Sequence, residues 1–365
     1  MHMVCHMVMW PSSDVTCRLP SSADPLQRMV MLAFTLFLLG MFLMNAHIGD
    51  LHQQDQSSFQ NSHPCSLRFP LQVADCLTSG ISSNTPHGKD KKHMLTVLAS
   101  GRLGNQMFQY ASLLGIAHKN QRVAFISSKL EIVRYFSGLY VDDRPLQGWQ
   151  QVTEDQYAVC DPRMNGLPLA NIKLHGFLQS WHYFTDITTE VRRAFQLKRP
   201  IQKQLKTFFH MHIRQSMKNI TKNTRNVIKI GVHVRRADML DPREQARGYE
   251  CAPLSYLLKA LQYMRSKFGG QSIFFVVSDD LEWCKKNLDG EDVQIVAAAA
   301  PVIHLGFLGM CDHVIMTVGT FGWWGAFLSG GHVVYYDGYP RHGSEMAKGF
   351  QSTDFFFPQW VPIGA

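Results

Sequence analysis

The densest concentration of groups capable of chemistry is Val227–Asp238, VIKIGVHVRRAD. Val227, Ile228, Ile230, Val232 and Val234 are β-branched and nearly continuous, the pattern of a strand buried on both faces of a parallel sheet. The run ends among His233, Arg235, Arg236 and Asp238. In an open α/β sheet, ligands sit outside the carboxyl ends of the strands, so these four side chains fall where a ligand would lie. An arginine fork is permanently charged and matches the oxygens of a phosphate. Two in succession point different ways from one turn, so one can hold an anion while the other pairs with Asp238. Structural ion pairs would also account for an Arg-Arg dipeptide, but the place at a strand end favours an anion.

Four other stretches could join that site. Met94–Ser100 reads as a strand, followed by Gly101-Arg102-Leu103-Gly104 and an apolar-faced helix from Asn105 to about His118. A glycine turn opening into a helix N-terminus can cradle a ligand oxygen or admit a closely packed loop; the spacing alone favours packing. Ser272–Ser278 is a second buried strand, ending in Asp279-Asp280. A carboxylate there could accept from the N1 and N2 donors of guanine, or it could cap the helix that restarts at Leu281. His313–Gly319 leads into Thr320-Phe321-Gly322-Trp323-Trp324-Gly325, a second strand-to-helix turn able to hold an anion through its hydroxyl and N–H groups. Leu174–Phe184 sets Gln179, Ser180, His175 and His182 among aromatics, a mixture suited to a sugar and also to a core strand with an aromatic edge. No D-x-D triplet is present to hold a divalent ion against a diphosphate, so arginines would have to supply the positive charge.

The elements that must position these groups alternate β and α from Val227 onward: helix Pro253–Lys267, strand Asp292–Ala297, helix Pro301–Cys311 and strand His332–Asp337. Val123–Ser127 adds a strand to the first half, giving it βαβ character. The polar, basic segment Gln202–Arg225 reads as the connection between halves. At 365 residues with 45% hydrophobic content, the chain can build one large or two ordinary cores. A net charge of +8 favours anionic partners. Without zinc-finger spacing, an RNP-like aromatic box or a basic block, nucleic acid is not among them.

Met29–Ile48 carries no charge over a length sufficient to cross a bilayer. It exceeds a signal-peptide core and lacks a following A-x-A site, so it reads as an uncleaved anchor. Arg28 before it and Asp50 after it fit an inward N-terminus. The stretch to Lys92 is rich in Gln, Ser, Asn and Pro and reads as a stem. Six of the eight cysteines follow the anchor with no C-x-x-C, which permits disulfides and disfavours structural zinc. Asn219-Ile220-Thr221 is a glycosylation sequon that fits a luminal loop.

The segments Gly101–Met107, Gly176–Phe184, Gly231–Arg236, Val277–Cys284, Cys311–Leu328 and Phe357–Val361 resemble, in order and spacing, the galactoside α-1,2-fucosyltransferases. The match runs from about Met94 to the C-terminus. The resemblance implies a GT-B-like α/β fold: two Rossmann-like domains facing across a cleft behind an N-terminal transmembrane helix. The corresponding layout is a tail at 1–28, an anchor at 29–48, a stem at 49–92, an acceptor-side domain at 93–225 and a GDP-fucose-binding domain at 226–365.

The implied reaction is inverting transfer of fucose from GDP-β-L-fucose to the 2-hydroxyl of a terminal β-galactose in the Golgi lumen, with no obligatory metal and no resident cofactor. Arg235 would hold the β-phosphate as the catalytic group, with Asp238 beside it. His233, Arg236, Asp279, Asp280, Thr320, Phe321, Gly322, Gly101 and Asn105 would complete the donor site. Gln179, Trp181 and Trp323 would meet the acceptor. A homodimer is compatible with a single anchor. Three departures from the family pattern stand out: Ala237 replaces a glycine, His304 replaces an acidic residue, and the ending reads Pro358-Gln359-Trp360-Val361-Pro362-Ile363. These keep two other readings open, a fucosyltransferase with a different acceptor and an inactive glycan-binding relative.

Overall fold

A computed structural model describes residues 93–218, 227–269 and 272–365. The anchor and stem segments and the Asn219 sequon lie outside the described residues. Among those described, no helix is long and apolar enough to cross a membrane.

Two sheets, each wholly parallel, organise the chain from residue 93 onward. The first contains β1 (Met94–Val97), β2 (Val123–Ala124), β3 (Gln150–Thr153) and β4 (Ile172–His175), in the spatial order β2-β1-β4-β3. The second contains β5 (Ile228–Val234), β6 (Ser272–Ser278), β7 (Val293–Ile295), β8 (His313–Met316), β9 (Val333–Tyr336) and β10 (Val361–Ile363), in the order β10-β9-β8-β5-β6-β7. In the first sheet, the chain passes from β1 to β2, crosses to the far edge at β3 and returns to β4 beside β1. The second sheet winds outward in both directions from β5, so its winding reverses between β5 and β8. Connections leave such neighbouring strands on opposite faces, which opens a crevice at their carboxyl ends. The residues after β1, β4, β5 and β8 are those the sequence marks for chemistry.

Six helices cover the sheets: α1 (Leu103–Lys119), α2 (Arg199–Lys218), α3 (Leu254–Phe268), α4 (Leu281–Asn287), α5 (Pro301–Gly309) and α6 (Thr320–Ser329). One face of the second sheet packs Val232, Phe274 and Ile315 against Leu257, Leu261 and Met264 of α3. Its other face packs Phe275 and Val277 against Phe307 of α5 and Leu205 and Phe209 of α2. The segment read as a connection is thus a 20-residue helix up to Lys218, because its apolar residues recur on one face and bury there.

The sheets share a third core. Trp323 and Trp324 of α6 join Phe108 of α1, Phe184, Phe355 and Trp360 in one aromatic cluster, crossing from the second sheet to the first. Trp323 is fully buried, 4.4 Å from the Phe108 ring, and its indole N–H donates to the Phe355 carbonyl at 2.8 Å. It therefore belongs to the core and does not face an acceptor, correcting the reading of that residue. Truncating Trp323 to alanine should destabilise the fold by about 3–5 kcal/mol. Denaturant unfolding of wild type and variant checks the figure, and a change below about 1 kcal/mol would place Trp323 outside the common core.

Candidate active site

Three cavities, of about 640, 630 and 640 Å³, share Arg235 in their walls. The first is bordered by Gly101 and Asn105 after β1, His233 and Arg235 at the end of β5, Asp279 after β6, and Thr320 and Phe321 at the start of α6. Most of the residues assigned to donor binding thus come together in one place, although they span more than 200 positions of sequence.

Arg235 is held from three sides. Its Nε and Nη2 donate to the two carboxylate oxygens of Asp238 at 3.0 and 2.7 Å. Its main-chain N–H donates to the Thr317 hydroxyl at 3.0 Å. Gly319, with φ +87°, passes against Nη1, and any side chain there would strike the guanidinium. Burial alone would lower the guanidinium pKa, but the hydrogen bonds and charge of Asp238 outweigh it, so Arg235 stays a cation. The same fork holds the Asp238 carboxyl below the usual range. Asp238 is therefore a brace for Arg235 and a poor proton acceptor.

Arg236 turns away from the cavity. Its guanidinium lies 3.8 Å from the centre of the Trp283 ring and 3.4 Å from Asp280. The sequence reading divided the pair differently, giving Asp238 to whichever arginine was not holding the anion. In the structure the cavity arginine itself takes Asp238. The two aspartates separate as well: Asp280 caps α4, accepting from the Trp283 N–H at 3.1 Å, while Asp279 lines the cavity and accepts from the Arg236 main-chain N–H at 2.8 Å. Arg236 and Asp280 thus support the site without bordering it.

His233 is fully buried, and burial, then the charges of Arg235 and His304, push its pKa down to about 3. It is therefore neutral at any working pH. Its ring lies against Phe321 at 5.7 Å, and its Nδ1 faces Gly322, where a Cβ would collide with it. Gly322 acts by letting α6 close onto that imidazole rather than by touching a ligand. Nδ1 has no hydrogen-bond partner among the described residues.

Asn105 stands between two cavities. Its Oδ1 accepts from the Thr320 hydroxyl at 2.8 Å and from the Gln179 amide at 3.2 Å, and both cavities touch it. The turns after β1 and β8 meet here: a Cβ on Gly104 would come within 2.7 Å of the Thr320 hydroxyl, and Trp324 donates to the Gly104 carbonyl at 3.0 Å. The Gly101–Gly104 turn therefore packs closely against the start of α6, as its spacing favoured, and also borders the first cavity. Gln179 lines the second cavity with Tyr157, Phe177, Tyr249 and Phe350. Trp181 does not; it stacks on His182 at 3.9 Å and donates to the Thr353 carbonyl.

The sequence profile described as Glycosyl transferase family 11 matches residues 65–364. The chain belongs to that family. It is 32% identical over 309 residues to galactoside alpha-(1,2)-fucosyltransferase 1 of Homo sapiens, covering 78% of this chain and 79% of that protein. It is 29% identical over 305 residues to galactoside alpha-(1,2)-fucosyltransferase 2 of Sus scrofa, covering 79% and 85%. The structure of an Arabidopsis thaliana FUT1 variant in complex with GDP superposes with a TM-score of 0.48 at 10% identity, over 68% of this chain and 71% of that one.

Among the site residues of this family 11 glycosyltransferase that the sequence did not flag, one is a buried carboxyl. Glu154 follows β3, is 9% exposed, and borders the second cavity. Its carboxylate accepts from the main-chain N–H groups of Phe177 and Leu178. Burial outweighs those bonds and lifts its pKa to about 7. The strand before it is polar and largely exposed, QQVT, with no apolar alternation to announce it.

A carboxyl that ionises near 4.5 when unfolded and near 7 when folded favours folding at low pH, and that advantage is lost as pH rises from about 4.5 to 7. Glu154→Gln should therefore match wild type in thermal unfolding at pH 4.5 and exceed it at pH 7.5. Equal midpoints at both pH values would show that Glu154 ionises normally.

Proposed function

We propose that the chain transfers L-fucose from GDP-β-L-fucose to the 2-hydroxyl of a terminal β-galactose, inverting the anomeric centre. The family and the names of the relatives support the reaction class. The observation that carries it here is Arg235, a braced cation shared by a nucleotide-sized cavity and an aromatic-lined one.

Breaking the fucosyl C1–O bond leaves an electron pair on the β-phosphate of GDP and builds positive charge on the sugar. A guanidinium already fixed by Asp238, Thr317 and Gly319 stabilises the departing charge without reorganising. In this reading the nucleotide occupies the cavity bordered by Asp279, whose carboxylate can accept from guanine. Thr320, Phe321 and the turn at Gly101 lie along the phosphates, and the galactose stacks among Tyr157, Phe177 and Tyr249. With the positive charge supplied by Arg235, the transfer proceeds without a metal ion or resident cofactor. The two sheets then form a GT-B-like pair facing each other across the Asn105–Thr320 contact.

The departures from the family pattern are compatible with turnover. Ala237 sits at φ −49°, a right-handed conformation that needs no glycine. Pro362 lies in β10, an edge strand, where a missing N–H is tolerated. His304 is anchored by its Nε2, 2.9 Å from the Ala297 carbonyl. We further propose a single-pass Golgi membrane enzyme with its catalytic part luminal, on the strength of the uncharged stretch Met29–Ile48.

The test is the full chain, extracted from membranes in detergent and incubated with GDP-fucose and a β-galactoside in EDTA. Fucose should appear at the galactose 2-hydroxyl, and Arg235→Ala should slow transfer by about 100-fold or more, the usual cost of one preorganised donor. Product that depends on added metal would refute metal independence. A folded chain that binds GDP and transfers nothing to any galactoside would refute the assignment.

A further inference from the structure

An inverting transfer needs a group to take the proton of the attacking hydroxyl, and the cavity beside Arg235 offers few. Of the carboxylates that border it, Asp155 is 75% exposed and paired with Arg163 at 2.7 Å. Glu345 is 76% exposed and paired with Lys348 at 2.6 Å. Asp238 lies outside this cavity and is taken up by the Arg235 fork. Glu154 differs from all three. It is buried, forms no salt bridge among the described residues, and ends a strand at the same crevice as Gln179.

Its setting is built for a carboxylate. Gly176 has φ +145° and Leu178 has φ +52°, so the chain turns back on itself between them. That turn aims the Phe177 and Leu178 N–H groups at Glu154, and no side chain could stand at Gly176 without striking the carboxylate. Two such N–H groups hold an anion in place without neutralising it, whereas an arginine would remove its basicity. Of the two oxygens, Oε1 is near both N–H groups, while Oε2 has a single contact, to Leu178 at 2.9 Å. A lone pair on Oε2 is therefore uncommitted.

We propose that Glu154 is the general base of the transfer. This rests on the fucosyltransferase reading given above. As the acceptor oxygen bonds to C1 of fucose from the face opposite the phosphate, its proton passes to the Glu154 carboxylate. The C1–O bond to the β-phosphate breaks, and its electron pair leaves with GDP beside Arg235. Glu154 returns the proton to solvent before the next turnover. A base operates best when its pKa lies near the working pH, and a pKa lifted to about 7 meets that condition.

The groups facing Glu154 are limited. Asp155 and Asp161 lie on its own side, both paired with Arg163. Tyr183 approaches from the turn after Gln179, and its own pKa is raised by burial. His175 ends β4, and Arg235 and Arg247 stand elsewhere in the same cavity wall. Of these neighbours, Asp161 pushes the Glu154 pKa upward.

The experiment compares wild type with Glu154→Gln and Glu154→Asp, as full chains, over pH 5 to 8. Wild-type kcat/KM should rise with pH up to about 7. Glu154→Gln should lose kcat by about 100- to 10,000-fold, with GDP affinity and acceptor KM changed only a few-fold and the acidic limb gone. Glu154→Asp should retain part of the rate together with the limb. Should Glu154→Gln work within about fivefold of wild type with its limb intact, Glu154 is only a clamp for the Phe177 turn and the proposal fails. If that variant does not fold, a flat wild-type profile across the same range overturns it. Absence of fucosyl transfer by wild type itself would instead bring down the transferase reading beneath it.

Discussion

A guanidinium removed from most of its water must find fixed partners, and the arrangement around Arg235 follows from that requirement. Its fork needs a carboxylate in the same plane, which the short turn after β5 supplies as Asp238. Its main chain needs an acceptor, which Thr317 after β8 supplies from the neighbouring strand. Its outer face needs a backbone without a side chain, which Gly319 supplies. All three demands can be met only if β5 and β8 lie side by side with their carboxyl ends aligned, as the parallel register His233 to Met316 provides. The strand order is thus a condition for a braced cation, and it opens a crevice beside that cation.

The first and second cavities are joined by a small hydrogen-bonded junction. Asn105 belongs to the first sheet's leading helix, Gln179 to the turn after β4, and Thr320 to the start of α6. Behind that small polar junction lies the aromatic cluster of Phe108, Trp323, Trp324 and Phe355. The cluster contributes the burial that holds two sheets in one position, and the polar junction sets the register between them. A misplacement of about 1 Å between donor and acceptor can cost on the order of 100-fold in rate, so a rigid junction at this point bears directly on turnover.

Much of the second sheet was legible because its central strands are buried on both faces. VIKIGVHV and SIFFVVS read as strands, and the chemistry at their ends follows from the rule about carboxyl ends. What could not be read was which of two adjacent residues faces the cavity. Arg235 and Arg236, like Asp279 and Asp280, are distinguished only by partners that arrive from elsewhere, Trp283 and the α4 N–H groups among them. Trp323 carried the composition of a sugar-stacking residue and the position of a core one, and burial decides between them only when α1 is in place. Glu154 was hidden for a different reason. The strand before it is polar and short, so neither its existence nor its carboxyl end could be located. α2 was hidden by its charge, since its apolar stripe is narrow among lysines and arginines.

The two ends of the proposed reaction ask for opposite electrostatics. A departing diphosphate is stabilised by a cation whose charge is kept, so Arg235 pairs with a carboxylate that leaves part of its fork free. An attacking hydroxyl would need an anion whose basicity is kept, a carboxylate with no cation on it. Asp238 and Glu154 show the two outcomes of that logic. The same functional group is held below its usual pKa in one place by a guanidinium and lifted in the other by burial, which outweighs its backbone N–H donors. His233 is kept neutral by burial and by the charge of Arg235, so no imidazolium competes with Arg235 in that cavity wall. The two carboxylates line different cavities, which share Arg235 and meet at the Asn105–Thr320 junction.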